Sequence, residues 1–227
     1  DVHGVKFVGC NFEMPKNLGN GLNEDRAISS RNAAYTVIPH TNYLNGEILQ
    51  NSKFSGFDIA IDADNSNPLA AVHIKQSIFE DNNRAITLSN MLAPVIVKNT
   101  ITMGPGIANG GIYLYETNQY IVEENSIIGT GANSYPMEQM GIIGECGIYI
   151  DNINNPTYNE IYKNDIQHTY FGLYLKGNNN DTDPNVGLEF LCNDFGEEVE
   201  GETDGLANYW DVYINGEVAK KQGRFPG

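Results

Sequence analysis

The sequence predicts an all-β chain wound as a right-handed parallel β-helix, a solenoid of about seven coils with loops let out at some turns. Three observations predict it. A short phrase recurs along most of the chain, its spacing settles at about 26 residues, and each half of it alternates apolar and polar residues at strand period. The first half reads Gly111-Ile112-Tyr113-Leu114-Tyr115 and returns as Asp58-Ile59-Ala60-Ile61, Ala85-Ile86-Thr87-Leu88, Gly147-Ile148-Tyr149-Ile150, Gly172-Leu173-Tyr174-Leu175 and Asp211-Val212-Tyr213-Ile214. The second half returns as Gln76-Ser77-Ile78, Asn99-Thr100-Ile101, Asn125-Ser126-Ile127, Asn164-Asp165-Ile166 and Asn193-Asp194-Phe195.

Spacing turns the phrase into an architecture. The steps from Ile59 to Ile86, from Ile86 to Ile112 and from Ile148 to Leu173 agree to within a position or so, whereas those from Ile112 to Ile148 and from Leu173 to Val212 are clearly longer. A constant period with extra residues confined to some copies describes stacked coils with insertions at the corners. No segment sustains the apolar repeat of a helix.

Taken in order, residues 1–13 close one coil at Cys10-Asn11-Phe12, and 14–26 form a polar loop. Residues 27–57 hold a coil whose later strands are Ala34–Ile38 and Gly46–Leu49. Residues 58–84 and 85–110 are the most regular coils. The next carries an insertion around 131–144, residues 147–171 are regular again, and the last full coil has outgrowths at 177–184 and 196–208. The acidic run Glu197, Glu198, Glu200, Glu202 and Asp204 reads as a solvated loop, with calcium binding as the alternative.

Two inward columns are expected on the first strand. One is Ile59, Ile86, Ile112, Ile148, Leu173 and Val212; the other is Ile61, Leu88, Leu114, Ile150, Leu175 and Ile214. Each buried Ile or Leu contributes roughly 1.5–3 kcal/mol. Asn99, Asn125, Asn164 and Asn193 should stack at an inner corner, each amide bonding the next. Cys10 and Cys192 read as equivalent positions six coils apart. At about 4.8 Å per coil they are far too distant for a disulfide.

Composition bounds the function. The formal net charge is −16, with only 13 Lys and Arg, which argues against nucleic acid or another polyanion as partner. No apolar run is long enough for a membrane-spanning helix, so no span is expected. Residues 1–227 read as one solenoid domain, a segment of a longer chain with adjoining domains.

The Gly-Ile-Tyr-Leu strands, the Asn-Ser-Ile corner and the phrase Leu191-Cys192-Asn193-Asp194-Phe195 resemble the right-handed parallel β-helix proteins secreted by Bacteroidetes, many of them exported by type IX secretion. The likeness covers most of residues 5–223. It implies a secreted or cell-surface protein in a superfamily that includes pectate lyases, polygalacturonases and phage tailspikes, together with members of no known activity. Fold alone does not choose among these.

Between the inward columns runs an outward one: Ala60, Thr87, Tyr113, Tyr149, Tyr174, Tyr213. Beside it lie Asp62, Ser89, Tyr115, Asp151, Lys176 and Asn215. An open stripe of Tyr113, Tyr115, Tyr149, Tyr174 and Tyr213 would suit a polysaccharide, or the surface of another protein. Alternatively the rings pack on one another or under an insertion. For catalysis, Asp151, Lys176 and Glu116 are the candidates. A glycosidase needs two carboxyls roughly 5–9.5 Å apart, which only Glu116 and Asp151 approach, and a lyase needs a base, for which Lys176 stands in the right row. An ion pair between Lys176 and Asp151 is the plainer reading. Asp62 and Asp64 could ligate calcium or could simply serve a turn. The four histidines are scattered, so no zinc site is expected, and no cofactor is called for. A noncatalytic recognition or scaffold role ranks first, and a polysaccharide lyase or glycoside hydrolase is the alternative.

Overall fold

The computed structural model describes residues 2–14, 25–66, 70–105, 109–131, 145–153, 158–180, 187–196 and 208–218. They form a right-handed parallel β-helix with three faces. Sheet A stacks seven strands: Val2–Val8, Ala33–Ile38, Val72–Lys75, Val95–Val97, Ile121–Glu123, Asn159–Tyr162 and Leu188–Leu191. Sheet B stacks six, beginning with Asn11–Glu13 and Lys53–Ser55 and ending with Asp165–Gln167. Sheet C stacks Arg26–Arg31, Ile59–Asp64, Arg84–Ser89, Gly110–Tyr115, Cys146–Asn152, Phe171–Asn179 and Trp210–Val218. Most of the expected polar loop before Arg26, the insertion centred on 135–140, the outgrowth beyond Asn180 and the acidic run from Glu197 lie outside the described residues.

Side chains alternate across each strand, so every second residue enters the shared interior. In sheet C the first inward column is Ile28, Ile61, Ile86, Ile112, Ile148, Leu173 and Val212, and the second runs through Ala63, Leu88, Leu114, Ile150, Leu175 and Ile214. This corrects the expected alignment for the earlier coils. Ile86 pairs with Ile61, not Ile59, so the step there is shorter than the phrase suggests. A slip of two leaves the same face buried, which is why the apolar pattern alone does not detect it. Sheet B adds an aromatic stack: Phe12 on Phe54 at 4.9 Å and Phe54 on Phe79 at 5.0 Å, with rings nearly parallel.

The expected solenoid strand at Gly46–Leu49 is not one. Ile48–Gln50 instead pairs antiparallel with His40–Thr41, as a hairpin outside the three sheets. Ile48 and Leu49 are exposed there. Pro39 and the Asn42–Asn45 turn let the chain leave the coil without breaking the stack.

The corner between sheets A and B is a single left-handed residue. Gln76, Lys98, Glu124, Lys163 and Cys192 all have φ between 48° and 58°, and Gly9 does the same at 56°. Such a conformation is strained for a residue with a side chain, and the next residue offsets the strain. The Asn125 amide accepts from the Asn99 N–H at 3.0 Å and from Asn99 Nδ2 at 2.9 Å, Asn164 serves Asn125 in the same way, and Asn193 serves Asn164. The expected ladder is therefore present. Two shorter ladders have no counterpart in the sequence reading: Thr117, Asn152 and Asn179 between sheets C and A, and Thr169 with Asn208 between B and C.

The cysteines are free, as their separation requires. Their equivalence does not hold, however. Cys10 aligns with Ser52 at the head of the ladder, and Cys192 takes the left-handed position before it.

Candidate functional site: the outer face of sheet C

The outward row of sheet C reads Ser29, Asp62, Thr87, Tyr113, Tyr149, Tyr174, Tyr213. Asp62 takes the place expected for Ala60, through the same slip of two. The four tyrosines stand on consecutive strands as expected, with ring centroids 5.2, 5.2 and 5.0 Å apart. They do not form an open stripe. Tyr113 and Tyr149 are 1% exposed and Tyr174 is 5% exposed.

The residue three places earlier in each strand explains this. At that position Cys146 and Phe171 point outward too, and they pack with Tyr113, Tyr149, Tyr170 and Tyr174 into a second apolar core outside the solenoid. Phe171 lies 5.0 Å from Tyr174 and 5.1 Å from Tyr213. Gly110 takes the same position before Tyr113, where a Cβ would overlap the Tyr113 ring. Arg84 sits one coil earlier, its guanidinium 4.9 Å from the Tyr113 centroid, a contact worth about 0.5–1 kcal/mol at an exposed site and more when desolvated. The spacing is legible in the sequence as Gly110-x-x-Tyr113, Cys146-x-x-Tyr149, Phe171-x-x-Tyr174 and Trp210-x-x-Tyr213, but attention to the tyrosines alone misses it. Tyr115 and Tyr213 are half-buried at the margin, and Trp210 is 48% exposed beside Tyr213.

Alongside runs the row Arg31, Asp64, Ser89, Tyr115, Asp151, Lys176, Asn215. Asp151 Oδ2 accepts from Lys176 Nζ at 2.8 Å and from the Tyr149 hydroxyl at 3.0 Å. The hydrogen bond to Asp151 holds the lysine's pKa above its ordinary value. A lyase base needs the opposite, a lysine that gives up its proton near neutrality. Burial first, and then the Asp151 charge, push the Tyr149 hydroxyl far above the usual tyrosine range, so it too remains a donor. Glu116 occupies a left-handed turn at φ 46°, and its Oε1 accepts the Ile153 N–H at 2.8 Å. The arrangement is an outer core closed along one side by an ion pair.

Asp62 and Asp64 belong to a strand, not to a turn. Asp62 is ion-paired with Arg26 Nε at 2.6 Å, and Asp64 accepts from Asn90 Nδ2 at 3.0 Å. Among the described residues no three His, Cys, Asp or Glu side chains come together. Among the same residues no helix is long and apolar enough to cross a membrane.

Three stacked parallel sheets with amide ladders at the corners define a β-helix repeat protein. The chain belongs to the family described as periplasmic copper-binding protein (NosD), whose profile matches residues 12–221. No curated protein and no solved structure gives a significant match.

Proposed function

We propose that the chain is a noncatalytic extracytoplasmic module, a rigid scaffold that presents its outer faces for recognition. The observation that supports this reading best is the closed outer core of sheet C. Its rings bury one another, its lysine is held protonated by Asp151, and Glu116 is tied to a backbone amide. Placement outside the cytoplasm rests on the family's description, periplasmic in its wording. Secretion to the cell surface by a type IX route is the narrower form of the same proposal, resting on the resemblance of the repeat phrases.

Copper stands in the family's description. Copper sites draw on Cys, Met and His. Here Cys146 is fully buried and burial pushes its thiol up, away from the thiolate a metal needs. Cys10 and Cys192 belong to the first and last coils, and Met91 and Met103 are packed in the interior. His40 sits on the hairpin, His73 on sheet A and His168 after a strand of sheet B, and Met14 packs against the core. Among the described residues no three His, Cys, Asp or Glu side chains come together, so the described donors do not assemble a copper site, and no step is assigned to one.

The test is incubation with a panel of neutral and acidic polysaccharides, followed by assays for new reducing ends and for unsaturated products. No turnover is expected. Cleavage that is lost in Asp151→Asn would overturn the noncatalytic reading. A second reading is glycan binding by the rings that remain accessible, Tyr115, Tyr213 and Trp210, favoured by the exposure of Trp210 beside Tyr213. Retention on an immobilised polysaccharide that falls in Tyr115→Ala and Tyr213→Ala would support it.

A further inference from the structure

Sheet A presents a different outer face. Burial alternates along its strands, and the outward positions form two rows that remain partly open to solvent. Charge is segregated along these rows. The first three coils carry Lys6 and Lys75, with His73 beside Lys75 held toward its neutral form by burial; the last three carry Glu123, Glu160 and Glu189; the middle coil carries only Val95 and Val97. Among the described residues Lys6, Lys75, Glu123 and Glu189 enter no ion pair.

From this order we infer that sheet A is a self-complementary docking face for a second copy of the chain, related by a two-fold axis parallel to the strands through the Val95–Val97 coil. Such an axis exchanges the first coil with the seventh and the third with the fifth while keeping each row on itself. In one row Lys6 then meets the second copy's Glu189. In the other row Lys75 meets Glu123, Val8 meets Leu191, and Ile38 meets Tyr162. Val95 and Val97 meet their own counterparts on the axis. Opposite charges fall one and three coils from the centre. One coil out His73 also meets Ile121, two coils out Glu160 meets the Thr36 hydroxyl, and apolar contacts lie at the middle and the ends. An isologous interface requires this pattern, in which residue i meets j and j meets i. The reverse choice, an axis along the solenoid, would set each coil on its own copy, basic coils on basic and acidic on acidic, and like-charge repulsion disfavours it.

Seven strands at about 4.8 Å and three residues at about 3.3 Å give a face of roughly 30 Å by 10 Å. That is small for a permanent dimer, so the association is concentration-dependent. The chain's overall charge of −16 opposes it at low salt. Near 0.15 M salt, with a Debye length of about 8 Å, the long-range repulsion is screened while paired contacts persist.

Sedimentation velocity on the whole chain at about 0.15 M salt, over rising concentration, tests the inference. The wild type should move from 25.0 kDa toward twice that mass. Lys6→Glu with Lys75→Glu should stay monomeric, as should Glu123→Lys with Glu189→Lys, and mixing the two variants should restore a dimer. Val97→Asp, which sets two carboxylates on the axis, should also remain monomeric, with circular dichroism confirming the fold of each variant. A wild type that stays monomeric throughout would overturn the proposal. So would a dimer indifferent to these substitutions, or a mixture that fails to associate.

Discussion

Replacing Asn125 with Leu removes one rung from the middle of the corner ladder while keeping nearly the same shape. Four hydrogen bonds go with it. Asn125 Oδ1 accepts from the Asn99 N–H and from Asn99 Nδ2, and Asn125 Nδ2 donates to the Ile96 carbonyl and to Asn164 Oδ1, all at 2.9–3.0 Å. Asn164 Oδ1 keeps a donor, because the Asn125 backbone N–H still reaches it at 3.0 Å. The Asn99 N–H and one Asn99 Nδ2 hydrogen lose theirs. Both are buried, and an orphaned buried donor costs about 1–3 kcal/mol. The gross loss is thus roughly 2–6 kcal/mol, offset by about 1.5–3 kcal/mol to the extent that the leucine packs. Midpoint against midpoint, a net loss on the order of 2 kcal/mol remains. Asn125→Ser should lose less, because a serine oxygen can serve the backbone donor, as Ser52 serves Cys10 at 3.3 Å. Lys98→Ala, which removes only the exposed pair with Glu124, should lose at most about 1 kcal/mol. Urea denaturation followed by far-ultraviolet circular dichroism gives the three values. Equal losses for the leucine and the Lys98 variants would refute the idea that the ladder holds the coils in register.

Three other perturbations follow from the same geometry. At Gly147 a Cβ would overlap Ile166 Cγ2 and lie 2.6 Å from the Gly172 carbonyl oxygen, so Gly147→Ala should destabilise by roughly 1–3 kcal/mol; an unchanged denaturation midpoint would contradict this packing. The Asn159 side chain is fully buried with neither amide atom bonded, so Asn159→Leu should be neutral or raise stability, and a large loss would mean that the amide has a partner. Burial raises the Tyr35 hydroxyl to about 12 and lifts Tyr113 and Tyr120 well above the ordinary value. These groups favour the fold fully below the unfolded value of about 10, and that stability is lost as pH rises through the folded values. Alkaline titration should therefore show a late tyrosinate phase that coincides with loss of the β signal; a single phase at about pH 10 with the fold retained would count against the buried rings.

How far the sequence can be read depends on which interactions repeat. The inward Ile and Leu positions and the Asn99–Asn193 ladder recur from coil to coil, so their period is visible without a structure. Register is harder. Ile59 and Ile61 both fit an apolar column, and only the pairing of Arg84 with Ile59 shows which of them meets Ile86. The Ile48–Gln50 hairpin reads as a coil strand because so short an apolar phrase has no period of its own. The burial of the tyrosines is hidden for another reason. Alternation tells inside from outside, but it does not tell exposed from covered. That distinction rests on Gly110, Cys146 and Phe171, which differ from coil to coil and so carry no repeat.

The two outer faces therefore follow different rules from the interior. Inside, each coil must offer the next the same shape, so the columns are uniform and carry no information about partners. Outside, a row is free to change from coil to coil, and what changes is chemistry. On sheet C the change runs from Asp62 and Thr87 to a block of aromatic rings, and the rings satisfy one another. On sheet A it runs from lysine through valine to glutamate. Among the described residues Lys6, Lys75, Glu123 and Glu189 enter no close ion pair, and Lys163, stacked on Tyr162, only partly offsets the charge of Glu123. A face whose charges are sorted by coil has an unmet electrostatic demand, whereas a face of interlocked rings has none. The proposed docking face is therefore sheet A, although the tyrosines of sheet C are the more conspicuous feature of the sequence.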